Sequence, residues 1–299
     1  LDNKINDWIV NFNKNFNTHF SNLTQIEKYI TKKIKEENIH FIYEKGKRKT
    51  ELQKIYETLN EFNDRKRKYQ NYNSIFKGRN SFSKTDEDAT FMRLKEDHMR
   101  NSQLKPAYNV QIGVSGEYII GADVFNNRTD YHTLIPFLET LKKYLPKFEN
   151  IVTDAGYESE ENYLFLEKNG QSSFIKPMNY EISKTRKYKK DIGKMENMEY
   201  DPEKDSYRCQ NRKMLTVQYQ RKQKTATGYL RTVTVYQCHE CKGCPFKEKC
   251  IKGNNCKTPM EKREKRLYVS KVMKQKREEN VKRIISEYGN QLRMNRSIQ

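Results

Sequence analysis

Apolar residues recur at three- and four-residue steps through the first part of the chain: Leu1, Ile5, Trp8, Phe12 and Phe16, then Leu23, Ile26, Ile30 and Ile34, then Leu52, Ile55, Leu59 and Phe62. Steps of that size return to one helix face every turn, so each run predicts a helix with a narrow apolar stripe and a wide polar remainder. Such stripes suit helices laid over another surface or paired as a hairpin. The stretch Lys66 to Lys84, with Gly78 and several Asn and Ser, predicts a basic loop or linker.

From Lys105 the period shortens to two. Ala107 to Val114 alternates as a half-buried strand, Ser115-Gly116 supplies a turn, and Tyr118 to Phe125 runs back, which predicts a β-hairpin. Thr129 or Asp130 is placed to cap a helix carrying Leu134, Phe137, Leu138 and Leu141. A buried strand Ile151-Val152-Thr153-Asp154 follows, then a helix capped by Ser159 and ended by Asn169-Gly170, then a strand from Ser172 to Lys176 stopped by Pro177. This order predicts an α/β layer with a mixed sheet. Beyond it, Met214 to Lys222 and Tyr229 to Gln237 predict a second hairpin around Thr227-Gly228.

Composition adds a partner. The 299 residues include 59 Lys and Arg against 39 Asp and Glu, a net charge of +20. Each phosphate neutralised by such a surface releases condensed counterions, so a polyanion, nucleic acid first, is the expected partner. No apolar stretch reaches the length of a bilayer span and Leu1 to Phe20 lacks a secretory pattern, so a cytoplasmic protein is expected. All six cysteines follow residue 208, which suits a metal site in a reducing compartment better than a disulfide framework.

Asp154 ends its apolar run at a sharp turn into Ala155-Gly156-Tyr157, and the carboxyl ends of strands in open α/β sheets are where ligands and catalytic groups collect. The plain alternative is an Asx turn, with the Asp154 side chain bonded to the backbone of Gly156.

Three ordered segments carry a resemblance: Lys84-Thr85-Asp86-Glu87-Asp88-Ala89-Thr90-Phe91-Met92, Leu104-Lys105-Pro106-Ala107-Tyr108-Asn109-Val110-Gln111, and Thr153-Asp154-Ala155-Gly156-Tyr157 followed by Ser159-Glu160-Glu161-Asn162-Tyr163. Together with the cysteine cluster they resemble a DDE-type bacterial insertion-sequence transposase, of the group of elements numbered eleven eighty-two, over nearly the whole chain. The resemblance implies an RNase-H-like core in which two aspartates and one glutamate bind Mg2+ or Mn2+ for DNA strand cleavage and transfer. It implies double-stranded DNA and transposon ends as partners, in a homo-oligomeric transposition complex. Asp154 matches the second acid. The first aspartate of similar transposases stands on an Asp-Gly-Thr-Lys strand before a helical insertion, and the glutamate on a helix after the segment matched by Asn295 to Gln299. The expectation is an internal fragment, inactive alone.

Other acids have plainer explanations. Asp86 and Asp88 suit a helix N-terminus, Glu278, Glu279 and Glu287 lie on a late, solvated helix, and Asp123 and Asp130 read as an edge charge and a cap. His98 and His132 show no pairing that marks a nucleophilic triad.

Cys238, Cys241, Cys244 and Cys250 have the spacing C-x2-C-x2-C-x5-C, with Cys209 and Cys256 outside it. Thiolates so spaced can close a tetrahedral zinc site or hold an iron–sulfur cluster, or stay reduced without metal; zinc, fixing a small domain poor in apolar residues, is the expectation. Phosphate contacts are expected from Arg186, Lys187, Lys189 and Lys190 and from a helix around Lys262, Arg263, Lys265 and Arg266, the alternative for both being a solvated basic face.

The resulting organisation is a helical insertion and basic linker at 1–84, part of an RNase-H-like α/β core at 85–180, a basic and cysteine-rich β insertion at 181–258, and a late helix at 259–299. The competing function is a non-catalytic zinc-containing nucleic-acid-binding protein.

Overall fold

The structure, a computed structural model, describes the chain except for Lys45, residues 95–98, Arg100, residues 254–256, Gln299 and the side chain of Ile298. His98 and Cys256 therefore lie outside the described residues. Two compact units are present, Leu1–Ala107 and Tyr108–Gln299.

In the first unit the expected stripes become α1 (Asp2–Phe16), α2 (Leu23–Glu36) and α3 (Glu51–Phe76). Ile5, Ile9 and Phe12 close on Leu23, Ile26 and Ile30 and on Leu52 and Leu59. Phe12 stacks on Phe16 with centroids 4.6 Å apart and meets Tyr29 edge-on. Each such side chain contributes about 1.5–3 kcal/mol on burial, which holds together helices whose other faces are polar. Asn22 and Thr50 cap α2 and α3 by accepting from the N–H groups of Gln25 and Gln53.

The linker expected from Lys66 is instead helical to Phe76. Its Lys, Arg and Gln residues are good helix formers, and no Gly or Pro interrupts the chain before Gly78. Arg79 then donates to the carbonyls of Ile75, Phe76, Glu87 and Asp88, tying the helix end to the next loop. That loop leads to β1 (Thr90–Met92), paired antiparallel with β2 (Lys105–Ala107). Asp86 caps its own turn here, accepting from the N–H groups of Asp88 and Ala89.

The second unit opens with the expected hairpin, β3 (Asn109–Ser115) and β4 (Tyr118–Phe125), turning through Gly116 and Glu117 at positive φ. Gly113 stands opposite Gly121 in the ladder, and a side chain at Gly121 would come within 2.3 Å of Leu141 on α4 (Leu134–Leu141). The missing side chains let α4 lie down on that face. Neither Thr129 nor Asp130 caps α4. A 3-10 turn, Asp130–His132, intervenes, and the Asp130 carboxylate turns away to Asn109.

Next come β5 (Asn150–Thr153), α5 (Glu160–Lys168) and β6 (Ser172–Ile175), a parallel pair joined by a helical crossover. Ser159 caps α5 as expected, accepting from the N–H of Asn162. Strands of both senses are present, but among the described residues the hairpin and the parallel pair form separate ladders rather than one mixed sheet. Each is closed by its own short-range connection, a two-residue turn in one case and α5 in the other.

After α6 (Tyr180–Ser183) and α7 (Arg186–Lys189), a five-stranded antiparallel sheet forms from β7 (Glu199–Asp201), β8 (Ser206–Arg208), β9 (Met214–Lys224) and β10 (Leu230–Cys238), with β11 (Lys265–Val269) on the far edge. Its core is Tyr207, Leu215, Tyr236, Leu267 and Val269. A single turn, α8 (Lys247–Cys250), lies in the β10–β11 connection. The helix expected around Lys262 to Arg266 is a 3-10 turn, Met260–Lys262, running into β11. Leu267 and Val269 point inward while Arg266 and Tyr268 are exposed, a period of two that pairs with β10 and overrides helix propensity.

The chain continues through α9 (Lys271–Ile285) and α10 (Glu287–Ile298). Asn280, fully buried on α9, accepts from the N–H of Ile175 and donates to its carbonyl, while Arg283 donates to the carbonyl of Ser173. Side chains of a helix thus satisfy the outer edge of β6.

Candidate functional site

Asp154 stands where β5 ends, and the backbone leaves the strand there for a 3-10 turn, Ala155–Tyr157. Its Oδ1 accepts the N–H of Gly156 at 3.0 Å, so the Asx turn does form, leaving Oδ2 without a hydrogen bond among the described residues. One oxygen fixes the loop and the other stays open. Asp130 approaches from the turn before α4. A Cβ at Gly156 would lie 2.6 Å from Asp130 Oδ2 and 3.2 Å from Asp154 Oδ1, so the two carboxylates share the space over this glycine and leave no room for a side chain.

A polar chain links Asp130 to the turn that follows Asp154. Asn109 donates to Asp130 at 2.7 Å, Gln111 donates to Asn109 at 2.7 Å, and the Tyr157 hydroxyl donates to Gln111. Burial pushes the Tyr157 hydroxyl pKa up, and the Asp130 and Asp154 charges add to this while Arg296 of α10 opposes it. The phenol therefore stays a donor. Asn109-Val110-Gln111 and Asp154-Ala155-Gly156-Tyr157, well separated in the chain, thus meet in the fold.

The start of α5 holds this arrangement to the rest of the unit. Asn162, fully buried, donates to the carbonyls of Tyr131 and Tyr157, clamping the turn that carries Asp130 to the turn that follows Asp154. Glu160 accepts from Tyr229 and from Ser270, the cap of α9. Glu158, its side chain 1 % exposed, accepts from Arg277, Tyr163 and the N–H of Met178. The acids of this helix start are clamps between elements.

The family model described as Transposase DDE domain matches residues 79–279. The chain belongs to that family. No curated protein and no solved structure matches it. A transposase domain of this kind acts on DNA and has an RNase-H-like fold, and DDE transposases use divalent metals such as Mg2+ or Mn2+. Among the described residues no helix is long and apolar enough to cross a membrane.

In this transposase domain the other acids weighed from sequence stay apart from Asp154 in their roles. Asp123 accepts the N–H of Val124, Glu279 pairs with Lys276, and Glu278 is exposed. Asp130 is the residue sequence reasoning misassigned. The available signal was Asn109 and Gln111, polar residues two apart and so on one face of a strand, where an apolar pair is the rule for a buried face.

Of the basic residues, Arg186, Lys187, Lys189 and Lys190 are all exposed on and just beyond α7, with Tyr188 half-buried among them and bonded to Asn179. Lys262 and Arg266 are exposed as well. Lys265 and Arg263 are engaged inside the domain: Lys265 donates to the carbonyls of Gly193 and Cys250, and Arg263 to those of Thr258 and Gly253.

Cys238, Cys241, Cys244 and Cys250 are joined at one small cavity by Cys209, and all five are free thiols. Burial pushes the Cys238 thiol up to about 12. Among the described residues no three His, Cys, Asp or Glu side chains already stand in metal-holding geometry.

Proposed function

We propose that this chain takes part in metal-dependent cleavage and transfer of DNA strands at the ends of an insertion sequence, with Asp154 as one carboxylate ligand of Mg2+ or Mn2+. The observation that carries this reading is the end of β5, where Asp154 keeps one oxygen open beside the Asp130 carboxylate over Gly156. Oxygen donors of like charge at the carboxyl end of a strand fit a hard divalent cation, which relieves their mutual repulsion. Asp154 and Asp130 would hold it, and when bound it supplies activation of the attacking hydroxyl and stabilisation of the leaving oxygen. The remaining residues position these two: Asn162 locks the two turns together, and the Tyr157–Gln111–Asn109 chain orients Asp130.

The substrate in this reading is double-stranded DNA carrying the transposon ends, handled by a homo-oligomeric complex in the bacterial cytoplasm. Arg186, Lys187, Lys189 and Lys190, with Lys262 and Arg266, supply exposed charge for phosphates, in keeping with the net charge of +20. A zinc ion on the clustered cysteines holds the end of the five-stranded sheet. The group of elements numbered eleven eighty-two is the part of the family whose motifs these residues resemble.

Titration of the chain with Mn2+, followed through paramagnetic loss of backbone amide signals, tests the central assignment. Signals of the turns at Asp154 and Asp130 should vanish first, and Asp154→Asn should restore them. Loss centred elsewhere, or unchanged by Asp154→Asn, removes Asp154 as a metal ligand.

A further inference from the structure

The sequence spacing selects Cys238, Cys241, Cys244 and Cys250 as a set, but the fold brings in a different partner. In the β9–β10 ladder Val217 stands opposite Tyr236 and Thr216 opposite Gln237, so the start of β9 and the end of β10 lie at the same end of the sheet. The turn that precedes β9 carries Cys209, and the segment that follows β10 carries Cys241, Cys244 and Cys250. All of these, with Cys238, line one cavity of about 20 Å3, room for a single ion or water.

The backbone distinguishes among the five. Cys209 opens a tight turn in which the N–H of Arg212 bonds the Cys209 carbonyl, and Arg212 takes a positive φ of 57°. Cys241 opens a second turn of the same kind, the N–H of Cys244 reaching the Cys241 carbonyl across Gly243 at φ 69°. Cys250 closes the single turn of α8. Lys265 adds support from β11: its N–H points at Cys241 Sγ at 3.4 Å, and its Nζ reaches the Cys250 carbonyl at 3.2 Å. Cys238 differs: it is the last residue of β10, paired with Lys265 at the end of the β10–β11 ladder, and it is packed at 2 % exposure with Tyr236 and Leu267 in the sheet core.

We propose that Cys209, Cys241, Cys244 and Cys250 are the four ligands of one structural Zn2+, and that Cys238 is a core residue rather than a ligand. This rests on the zinc reading above and changes its ligand set. Cysteines on tight turns can rotate about χ1 to meet a tetrahedral ion, each giving up its thiol proton to solvent, whereas the rotamer of Cys238 is held by the sheet core packed around it. The bound ion would cross-link the β8–β9 turn to the β10–β11 connection, two parts of a small sheet far apart in sequence.

The test uses the full chain and Co2+ in place of zinc, together with zinc content by mass spectrometry of the native protein. Wild type should hold one ion and give the intense sulfur-to-cobalt absorption and tetrahedral d–d bands of four thiolates. Cys209→His should shift those bands as one sulfur is replaced by nitrogen, and Cys238→Ser should leave spectrum and stoichiometry unchanged. The histidine variant keeps a donor in place, so the readout is a change of coordination rather than a loss that misfolding could mimic. If Cys238→Ser loses the ion while Cys209→Ser keeps it, the ligand set proposed here is wrong and zinc binding stands. Wild type taking up neither zinc nor cobalt overturns both.

Discussion

Arg277 grips Glu158 with both arms of its guanidinium, Nε to Oε1 at 2.6 Å and Nη2 to Oε2 at 2.8 Å, where the Glu158 side chain is almost wholly buried. The pair joins the start of α5, next to the Asp154 turn, to the middle of α9. Removing one partner of a buried pair strands the other charge, which costs about 3–5 kcal/mol. Arg277→Met should therefore lower stability to denaturant by that order, and Glu158→Met with Arg277→Met together should be milder than Arg277→Met alone. A double variant no better than the single would show that packing, not the stranded charge, sets the cost.

Gly156 is a second sensitive point. A methyl group there enters the space held by Asp130 and Asp154, and overpacking of this kind costs about 1–3 kcal/mol. Gly156→Ala should lower stability and weaken Mn2+ binding, and adding Asp130→Ala should recover part of the stability because the two sites share the clash. Strictly additive losses in the double-mutant cycle would disprove that shared space.

Asp205 sets a pH dependence. Burial raises its pKa, but hydrogen bonds from Lys271, Tyr200 and Tyr236 outweigh this and hold it below the ordinary aspartate value. A carboxylate depressed in the folded state contributes stability that is present above its unfolded pKa and is lost as pH falls through the folded one. Unfolding followed between pH 5 and pH 2 should thus show stability falling below the ordinary aspartate range, with a shallower fall in Asp205→Asn. Parallel curves for the two proteins would rule Asp205 out as the source.

DNA affinity should depend on salt through the exposed run on α7. Replacing Arg186, Lys187, Lys189 and Lys190 by Gln should weaken binding to all duplexes alike and reduce the slope of log affinity against log salt by about 0.9 for each phosphate contact removed. Lys265→Gln should instead destabilise the five-stranded sheet and leave the slope unchanged, since its ammonium is held by the carbonyls of Gly193 and Cys250. A slope that responds to Lys265 and not to the α7 run would reverse these assignments.

What could be read from the chain beforehand follows from range. The stripes of α1 to α3, the β3–β4 hairpin and the Ser159 cap depend on neighbours within a few residues and were legible. The length of α3 was not, because a polar run free of Gly and Pro looks the same in a linker and on a solvated helix. The segment around Lys262 to Arg266 reads as a helix, but it runs into β11, whose pairing with β10, some thirty residues earlier, outweighs local preference. Asp130 escaped for the same reason: a cap is a local role, whereas its partners are Asn109 on one strand and the Gly156 turn after another. Spacing alone leaves Cys209 outside the cluster, and only the strand register returns it to the other cysteines.

The amide of Asn280 guards the edge of β6. A bare strand edge invites another chain to add to it, and proteins commonly blunt that hazard with charge, proline, a bulge or a covering helix or loop. Here one side chain, 105 positions away from Ile175, supplies the missing donor and acceptor. Resistance to aggregation at this edge is consequently a property of α9, and slow hydrogen exchange at the Ile175 amide measures how firmly that helix is docked.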